Sequence, residues 1–357
     1  MSSKARLSEV AEFAGVSEAT VSRVLNDRPG VSAATRQQVL TALDVLGYER
    51  PAKLRARSAG LVGLIVPELD NPIFPAMAQV LETALAQHGY TAVLCTQSPD
   101  GVGEDEYVTM LSELGVSGIV FVCGLHSDAT AVPDRYQALV RKRLPIVLVN
   151  GYCAGVDAPF LSTDDREAMD LAVRHLTSLG HRRVGLAVGP DRFVSVRRKR
   201  DGFYPAMSRY AGLRDDQIDD LVEVSLFSQE GGYAATCALL ERGATAVVYG
   251  SDLMALGGVR AARAAGLQVP ADVSIVGYDD SVLMGFTDPP LTTVRQPVQA
   301  LALAAARALL DEIAGRPGPA SEFLFTPELV VRGSTGPVAD ARPVGGVVGL
   351  PSAERSF

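Results

Sequence analysis

Features that would place this chain of 357 residues in several common protein classes are missing from its sequence. No stretch approaches about eighteen apolar residues without charges, and the N-terminus lacks the apolar region of a signal peptide. We therefore expect a cytoplasmic protein with no membrane partner. Long low-complexity tracts are also missing, and 47% of the residues are hydrophobic, which is enough for a large core in two or three domains.

Cysteine and histidine are scarce, and neither follows a metal-binding pattern. Cys95, Cys123, Cys153 and Cys237 are far apart and form no C-x-x-C pair, which favours reduced core residues over disulfides or a metal site. The sequence also lacks a G-x-S-x-G nucleophile motif, an H-E-x-x-H zinc motif, a Walker phosphate loop and a G-x-G-x-x-G turn after a strand. We therefore expect no enzymatic activity, no metal and no cofactor.

The net charge of -8 is unevenly distributed along the chain. Residues 1–60 contain nine Lys or Arg and six Asp or Glu, a balance of +3, whereas the remainder contains 24 and 35, a balance of -11. A basic segment attracts phosphate groups and an acidic one is repelled by them. The first sixty residues are therefore the part expected to meet nucleic acid.

Two short amphipathic helices joined by a glycine begin the chain. The first has an apolar face formed by Leu7, Val10, Ala11 and Ala14, and Ser8 is its expected N-cap. Gly15 can adopt the positive φ of a tight turn between the helices.

The second helix is capped by Ser17 and has an inward face of Val21, Val24 and Leu25. Its outward face is formed by Glu18, Ala19, Ser22 and Arg23. Two such helices are typical of a helix-turn-helix, whose second helix fits the DNA major groove; the alternative is an ordinary helical hairpin with a polar face.

A third helix follows, with Ser32 as its expected cap and Gly47 as its expected end. Its apolar stripe consists of Val39, Leu40, Leu43 and Leu46.

Three motifs connect this region to a known family. The runs A-G-V-S-x-x-T-V-S-R-V-L-N, V-S-x-x-T-R and L-G-Y, between Ala14 and Tyr48, resemble the DNA-binding domain of the lactose/galactose repressor (LacI/GalR) family. The resemblance implies an all-α, lambda-repressor-like helix-turn-helix head over residues 1–48 that binds a double-stranded DNA operator. The residues expected to contact DNA, including three in the linker that follows, are Ser17, Glu18, Ala19, Thr20, Ser22, Arg23, Asn26, Thr35, Arg36, Tyr48, Leu54, Arg55 and Arg57.

Residues 49–61 form a short basic linker with one large apolar residue, Leu54, between cations. In the resembled family this segment is a hinge helix that folds on DNA, where leucines from two subunits wedge into the minor groove. The family pattern Y-x-P-N-x-x-A-R-x-L is replaced here, and the segment is about three residues shorter by comparison with that pattern. Leu54 is the expected wedge, and a solvated linker is the alternative.

From residue 62 onward, short apolar runs alternate with amphipathic segments, which predicts two doubly wound parallel sheets. The expected strands are Val62–Val66, Thr91–Cys95, Gly118–Val122, Ile146–Val149, Val184–Val188, Leu221–Val224, Ala246–Tyr249 and Val273–Val276. The expected helices are Ile73–His88, Glu104–Leu114, Arg166–Leu179, Arg197–Tyr210, Gly231–Glu241 and Leu253–Ala265.

The resemblance extends through residue 335, on motifs such as V-P-E-L-D-N-P-I-F, S-D-L-M-A-L-G and V-P-A-D-V-S-I-V-G-Y-D-D. It implies a periplasmic-binding-protein-like body, residues 62–335, whose chain crosses between lobes near Ser162, Leu291 and Phe323. Lobe 1 would comprise residues 62–162 and 291–322, and lobe 2 residues 163–290 and 323–335. Residues 336–357 lack a heptad pattern and are expected to be a disordered tail.

The resemblance also implies an effector site between the lobes, where open α/β sheets bind their ligands. Asp279 matches the family's main ligand carboxylate, while its neighbour Asp280 could instead be a helix cap. The complete set of expected effector-binding residues is Asn71, Phe74, Asn150, Ser195, Lys199, Phe227, Ser251, Asp279 and Gln296.

Two of these assignments leave alternatives open. Lys199 replaces the family's arginine and cannot make a bidentate fork, so Arg197, Arg198 or Arg200 could clamp the ligand instead, or form a solvated basic face. Phe74 and Phe227 could be plain core residues.

The sequence thus predicts a ligand-responsive repressor that binds a palindromic operator as a homodimer at the nucleoid. Its small-molecule effector is expected to be a sugar or polyol. A solute-binding receptor, which has the same body architecture, is the alternative, and the basic head argues against it.

Overall fold

The computed structural model describes residues 7–25, 28, 30–46, 59–97 and 101–338. The helices before Gly60 form one compact unit, and most of the chain from Leu61 onward forms a second. Among the described residues, no helix is long and apolar enough to cross a membrane.

The head consists of three helices, α1 (Leu7–Phe13), α2 (Glu18–Leu25) and α3 (Ala33–Val45). As predicted, they enclose a small apolar core, whose buried members are Val10, Ala11, Val21, Val24, Leu25, Val39, Ala42 and Leu43. The expectation that Ser8 caps α1 is wrong, because the helix already includes Leu7. Helix α3 ends at Val45, and Gly47, its expected end, lies outside the described residues.

The body contains twelve strands among its described residues. They are β1 (Gly60–Val66), β2 (Tyr90–Thr96), β3 (Gly118–Val122), β4 (Ile146–Val149), β5 (Phe160–Thr163), β6 (Val184–Val188), β7 (Val222–Val224), β8 (Ala246–Tyr249), β9 (Ser274–Asp279), β10 (Thr292–Arg295), β11 (Glu322–Phe325) and β12 (Glu328–Val330).

The strands form two six-stranded sheets with the orders β11-β5-β4-β3-β1-β2 and β12-β10-β9-β8-β6-β7. Pairing is parallel in the first sheet from β11 to β1, and in the second sheet only β12 runs antiparallel to its neighbour. Every residue of β3, β4, β6 and β8 is buried, because helices cover both faces of the central strands.

Nine helices of the described body surround these sheets. They are α4 (Ile73–Gln87), α5 (Glu104–Glu113), α6 (Asp134–Arg141), α7 (Asp165–Ser178), α8 (Val194–Ala211), α9 (Asp215–Asp219), α10 (Gln229–Glu241), α11 (Asp252–Ala264) and α12 (Val298–Ile313). The largest buried cluster belongs to the second sheet and its helices, and another belongs to the first. The body is therefore built from two lobes, as the alternation of apolar runs predicts.

The strand orders place the three crossings between lobes after β5, after β10 and after β11. Each crossing expected near Ser162, Leu291 or Phe323 lies within four residues of the end of the corresponding strand. Leu291 precedes β10, which still belongs to the second sheet, and Phe323 lies inside β11 of the first sheet. Both strands contain polar residues and depend on neighbours that are distant in sequence, so local apolar patterning did not reveal them.

The segment expected to be a disordered tail begins inside the folded body. The amide of Val338 donates to the Leu179 carbonyl at 3.0 Å, and the Gly336 carbonyl accepts from the buried His181 and Ser274 side chains. Residues 336–338 are thus part of the second lobe, and residues 339–357 lie outside the described ones.

Helices α10 and α11 pack through glycines that allow their backbones to touch. A Cβ added at Gly232 would lie 2.0 Å from the carbonyl oxygen of Met254, and one at Gly257 would lie 1.9 Å from that of Gln229. Backbone atoms cannot move aside as a flexible side chain can, so this contact requires glycine on both helices.

We predict that Gly232→Ala destabilises the body by about 1–3 kcal/mol through overpacking. For a domain of this size that lowers the melting temperature by about 2–12 °C. Gly318→Ala is the matched control, because a Cβ there meets nothing within 4 Å. Differential scanning calorimetry of both variants tests this, and equal melting temperatures would show that the two helices can separate without cost.

Candidate functional site

The turn between α1 and α2 sets the geometry of the head. Gly15 has a φ of 63°, in the left-handed region that favours glycine, and the Val16 amide donates to the Ala11 carbonyl at 3.0 Å. Ser17 then caps α2, since its Oγ accepts from the Thr20 amide at 3.2 Å and lies 2.9 Å from Thr20 Oγ1. The turn and cap expected from the sequence are both confirmed.

The outward face of α2 is polar and accessible. Glu18, Ala19, Ser22 and Arg23 are exposed, whereas Val21 is completely buried in the head. An exposed short helix with an arginine and a carboxylate can present donors and acceptors to base edges in a major groove.

Helix α3 begins with a similar hydroxyl cap. Ser32 Oγ accepts from the Thr35 amide at 3.1 Å and lies 2.8 Å from Thr35 Oγ1. Thr35 and Arg36 are half-buried at this end of the helix. The other residues expected to contact DNA, Asn26, Tyr48, Leu54, Arg55 and Arg57, lie outside the described residues.

A cavity of about 170 Å³ lies in the body between residues of the two lobes. Its lining includes all nine residues expected from the sequence to bind an effector: Asn71, Phe74, Asn150, Ser195, Lys199, Phe227, Ser251, Asp279 and Gln296. The fold thus brings together side chains that are up to 225 positions apart, from Asn71 to Gln296.

The carboxylate of Asp279 is held at this cavity by two amides. Its Oδ1 accepts from Gln296 Nε2 at 2.8 Å, and its Oδ2 accepts from Asn71 Nδ2 at 3.1 Å. Gln296 is itself fixed, because its Oε1 accepts from Thr163 Oγ1 at 2.8 Å. Asp279 is the last residue of β9 in the second sheet and Asn71 follows β1 of the first, so this carboxylate joins the lobes.

Lys199 is buried beside a second carboxylate and an aromatic ring. Its Nζ donates to Asp165 Oδ1 at 2.5 Å and lies 3.8 Å from the centre of the Tyr278 ring. The Tyr278 hydroxyl donates to the same Asp165 oxygen at 2.7 Å. These bonds use one oxygen of Asp165 and one of the Lys199 N–H groups. The other Asp165 oxygen and the other Lys199 N–H groups can bond a ligand at the cavity wall.

The neighbouring arginines of α8 do not line the cavity. Arg198 makes a bidentate pair with Glu322, at 2.7 Å to each oxygen. Arg197 Nε donates to the Asp191 carbonyl at 2.8 Å, and Arg200 Nη1 bonds the Asp191 carboxylate at 2.8 Å. The alternatives in which one of these arginines replaces Lys199 in the site are therefore disfavoured by the geometry.

Aromatic side chains form the apolar part of the lining. Phe74 and Phe227 are half-buried at the cavity, and Phe193, which was not expected from the sequence, packs against Phe227 with ring centres 6.0 Å apart. Flat apolar surfaces beside fixed polar groups are typical of sites for small polar ligands with apolar faces.

Two further polar residues near the cavity have structural partners. Ser251 Oγ accepts from the Met254 amide at 3.3 Å, so this residue caps α11 as well as lining the cavity. Asp280 bonds Arg332 at 2.6 Å and Arg295 at 2.7 Å. The alternative in which it is a helix cap is wrong, because its carboxylate pairs with these two cations and Ser281 is the N-cap of the turn Val282–Gly285.

Burial disfavours the charged form of two carboxyl groups in this region, Asp279 and Asp252. It raises the pKa of Asp279, while the hydrogen bonds from Gln296 and Asn71 act in the opposite direction. Burial also raises the pKa of Asp252, a neighbour whose ionisation is further disfavoured by the charge of Asp279. A ligand that donates hydrogen bonds to Asp279 would favour its charged form.

Several cavity residues adopt backbone conformations that side chains normally avoid. Cys123 (φ 47°), Asn150 (φ 59°) and Asp279 (φ 122°) each lie at or directly after the end of a buried strand. Such strain is maintained only when the surrounding structure fixes it, and it concentrates at ligand sites. The carboxyl edges of both sheets are thus shaped around this cavity.

Nine further lining residues were not identified from the sequence, namely Pro67, Glu68, Ile73, Cys123, Ser127, Asp165, Phe193, Gly250 and Tyr278. The strand-end rule for parallel sheets could have found Cys123, because it directly follows the predicted strand Gly118–Val122. Asp165 follows β5, a strand that the sequence pattern did not reveal. Its partnership with Tyr278, 113 positions away, depends on the fold. In the described part of the chain, no group of three or more His, Cys, Asp or Glu could hold a metal ion.

Comparisons with known proteins agree with this architecture. Residues 6–51 match the family described as "Bacterial regulatory proteins, lacI family". Residues 173–335 match the family described as "Periplasmic binding protein-like domain". Several solved structures match nearly the whole chain. A transcriptional regulator CelR–cellobiose complex has a TM-score of 0.67 at 32% identity, covering 93% of this chain and 100% of its own. The lac repressor dimer bound to operator and the anti-inducer ONPF has a TM-score of 0.66 at 29% identity, covering 94% and 100%. The fold class expected from the sequence is confirmed.

Curated relatives are more similar still. The HTH-type transcriptional regulator MalR of Streptomyces coelicolor is 61% identical over 331 residues, covering 92% of this chain and 96% of its own. A regulator of Streptomyces limosus, described by its position in the aml 5′ region, is 62% identical over 330 residues, covering 92% and 94%. The chain therefore belongs to the LacI family of bacterial regulatory proteins.

Proposed function

We propose that this regulator is a repressor that binds a palindromic operator as a homodimer and is controlled by a sugar-like effector in the cavity between its lobes. The observation that carries the proposal is the buried Asp279 carboxylate, held by two amides at a cavity with aromatic walls. Like its relatives, the chain acts on DNA, and we propose no enzymatic activity for it. Its place of action is the cytoplasm, at the nucleoid.

The chemistry of the cavity favours a ligand with several hydroxyl groups. Asp279 and Asp165 are hydrogen-bond acceptors, while Lys199, Asn71 and Gln296 carry donors. A ligand hydroxyl can therefore both donate and accept a hydrogen bond here. The rings of Phe74, Phe193 and Phe227 suit the apolar face of a pyranose or furanose. The cellobiose held by the related CelR supports the same ligand class.

The volume of the cavity, about 170 Å³, is below the roughly 300–1,000 Å³ usual for drug-sized ligands. A cavity of this volume suits a small sugar, or a larger one if the lobes separate to admit it. Lys199 contributes one cationic point charge where the family's arginine would contribute a planar fork, so it is expected to tune which sugar is preferred.

Helix α2 is the proposed reading element for DNA. Arg23 can fork onto guanine O6 and N7, Glu18 can accept from cytosine N4, and Ala19 can contact a thymine methyl group. Ser17, Thr20, Ser22, Thr35 and Arg36, at or near the starts of α2 and α3, would position the head on phosphates. Insertion of Leu54 into the minor groove, with support from Arg55 and Arg57, remains a prediction of the sequence.

An exposed apolar surface on the second lobe supports a dimer. Val282, Leu283 and Phe286 are 78%, 57% and 85% exposed, on a short segment that directly follows Asp279 and Asp280. Clustered large apolar side chains at a surface mark an interaction site. The molar mass by light scattering tests this part of the proposal, and a monomer at micromolar concentration would contradict it.

Population shift is the proposed mechanism. The effector binds the conformation in which both lobes contact it, and a change in lobe arrangement alters whether two heads can bind one operator together. A single head cannot be controlled in this way, because lobe arrangement acts on whether two heads bind together. Effector control of operator binding therefore requires both the dimer and the cavity.

The first functional prediction concerns base reading. Arg23→Ala should lose about 1–3 kcal/mol of discrimination at one base pair of each half-site, because a bidentate contact to guanine is removed. Arg28→Ala is the matched control: it removes the same charge from the head outside α2 and should weaken binding uniformly. A binding-site selection compares the two, and an unchanged base preference in Arg23→Ala would refute the assignment.

The second concerns the cavity. Asp279→Asn keeps the side-chain shape but loses charge-assisted bonds worth about 1.5–3 kcal/mol each, so a responding sugar should bind roughly ten- to a hundred-fold more weakly. Lys199→Ala should weaken it as well, and Lys199→Arg should change which sugar is preferred.

Asp280→Asn is the control for the cavity, because this neighbouring carboxylate pairs with Arg332 and Arg295. It should retain sugar affinity even if the melting temperature falls. Isothermal titration calorimetry, with the sugar found by a thermal-shift screen of sugars and polyols, measures all four variants. Wild-type affinity in Asp279→Asn would remove this residue from the site.

A further inference from the structure

Two loops from different lobes meet beside the effector cavity. One is residues 124–131 of the first lobe, between β3 and α6, and the other is residues 189–194 of the second lobe, which follow β6 and end at the first residue of α8. Asp128 and Phe193 form an antiparallel bridge, and the Ala129 amide donates to the Arg192 carbonyl at 2.8 Å. The lobes are therefore joined here by backbone pairing, far along the chain from any of the three crossings.

An ion pair reinforces this junction. Asp128 Oδ2 lies 3.2 Å from Arg192 Nε, while Asp128 Oδ1 accepts from the Thr130 amide at 2.8 Å and from Thr130 Oγ1 at 2.6 Å. Thr130 thus orients the Asp128 carboxylate, and the second carboxylate oxygen, Oδ2, faces Arg192 of the other lobe. Arg192 also lies over the Phe193 ring, with its guanidinium carbon 4.8 Å from the ring centre.

Each loop is firmly attached to its own lobe. In the first lobe, the His126 amide donates to the Tyr136 hydroxyl at 2.9 Å, and the Leu125 amide donates to the buried Glu104 at 2.9 Å. In the second lobe, Asp191 is bound through its carbonyl by Arg197 and through its carboxylate by Arg200, both at 2.8 Å. Because neither side can shift alone without losing these bonds, the junction breaks only when the lobes move apart.

The junction also borders the effector cavity. Phe193, which forms the bridge, and Ser127, which precedes its partner Asp128, both line the cavity. The junction therefore fixes one wall of the site. We propose that the pairing of residues 124–131 with residues 189–194 is a clasp that holds the cavity closed in the effector-free protein and so sets the balance between its open and closed conformations.

The regulatory meaning of the clasp rests on the proposed function. If the effector binds the closed conformation, its apparent affinity scales with the fraction of molecules that are closed when empty. The clasp raises that fraction. Contacts within the protein then supply part of the free energy needed to close the cavity. Substitutions in the clasp, away from the ligand, can therefore change the effector concentration at which the regulator responds.

Amide hydrogen exchange on the effector-free full chain tests the clasp directly, because the Ala129 amide is bonded across the lobes. Arg192→Ala removes the ion pair and keeps the backbone carbonyl, so opening should become more frequent. Exposed ion pairs contribute little, and the Ala129 amide should therefore exchange about two- to five-fold faster than in the wild type. Asp128→Asn, made on the other lobe, should have the same effect.

Two controls separate lobe motion from other causes. The His126 amide is bonded within the first lobe, so its exchange should stay unchanged in Arg192→Ala; faster exchange at both amides would mean that the loop frays locally and would overturn the proposal. Asp201→Ala removes an exposed ion pair with Arg166 inside the second lobe and should leave Ala129 unaffected. An unprotected Ala129 amide in the wild type, or equal exchange in wild type and Arg192→Ala, would also overturn it. No ligand is used, so a failed search for a sugar effector would count against the proposed function and leave this result standing.

Discussion

The arrangement of the body depends on how a buried carboxylate, Asp279, is satisfied. Removing such a group from water is costly unless hydrogen bonds replace its hydration. Gln296 and Asn71 supply those bonds, from a crossing segment and from the opposite lobe. The lobes are therefore joined through the group that is expected to bind the effector. A ligand must either donate further hydrogen bonds to this carboxylate or displace the amide donor of Asn71, and displacement would change the contact between the lobes.

Helix α8 extends the same principle over a larger distance. Ser195 and Lys199 bring its first turns to the cavity, while the adjacent Arg198 forks onto Glu322 of the first sheet. The loop before the helix carries Arg192, which pairs with Asp128. One rigid element thus contacts both the cavity and the other lobe. A ligand that shifts Lys199 by a small amount would alter ion pairs on neighbouring residues of the same helix, which is how a local contact can change a global equilibrium.

The sequence predicted the fold where local patterns are strong. Strands Gly118–Val122, Ile146–Val149, Val184–Val188 and Ala246–Tyr249 were predicted to the residue, because continuous apolar runs are buried on both faces. Strands β5, β10, β11 and β12 were missed, since they are short, several carry polar residues, and their pairing depends on distant segments. The nine expected cavity residues came from the family resemblance and do meet in space. The bond from Tyr278 to Asp165 and the clasp did not follow from any local pattern, because each joins elements that only the folded chain brings together.

We infer that the effector site between the lobes and the DNA-binding head are thermodynamically coupled. Coupling of two binding equilibria is reciprocal, so an effector that changes operator affinity by some factor must have its own affinity changed by that same factor. With the sugar found by thermal shift and the operator found by binding-site selection, calorimetry of the sugar with and without operator gives one factor, and operator binding with and without the sugar gives the other. We expect equal factors of about five- to 150-fold, the usual range of allosteric coupling. A sugar that binds with the same affinity whether or not operator is present would contradict it.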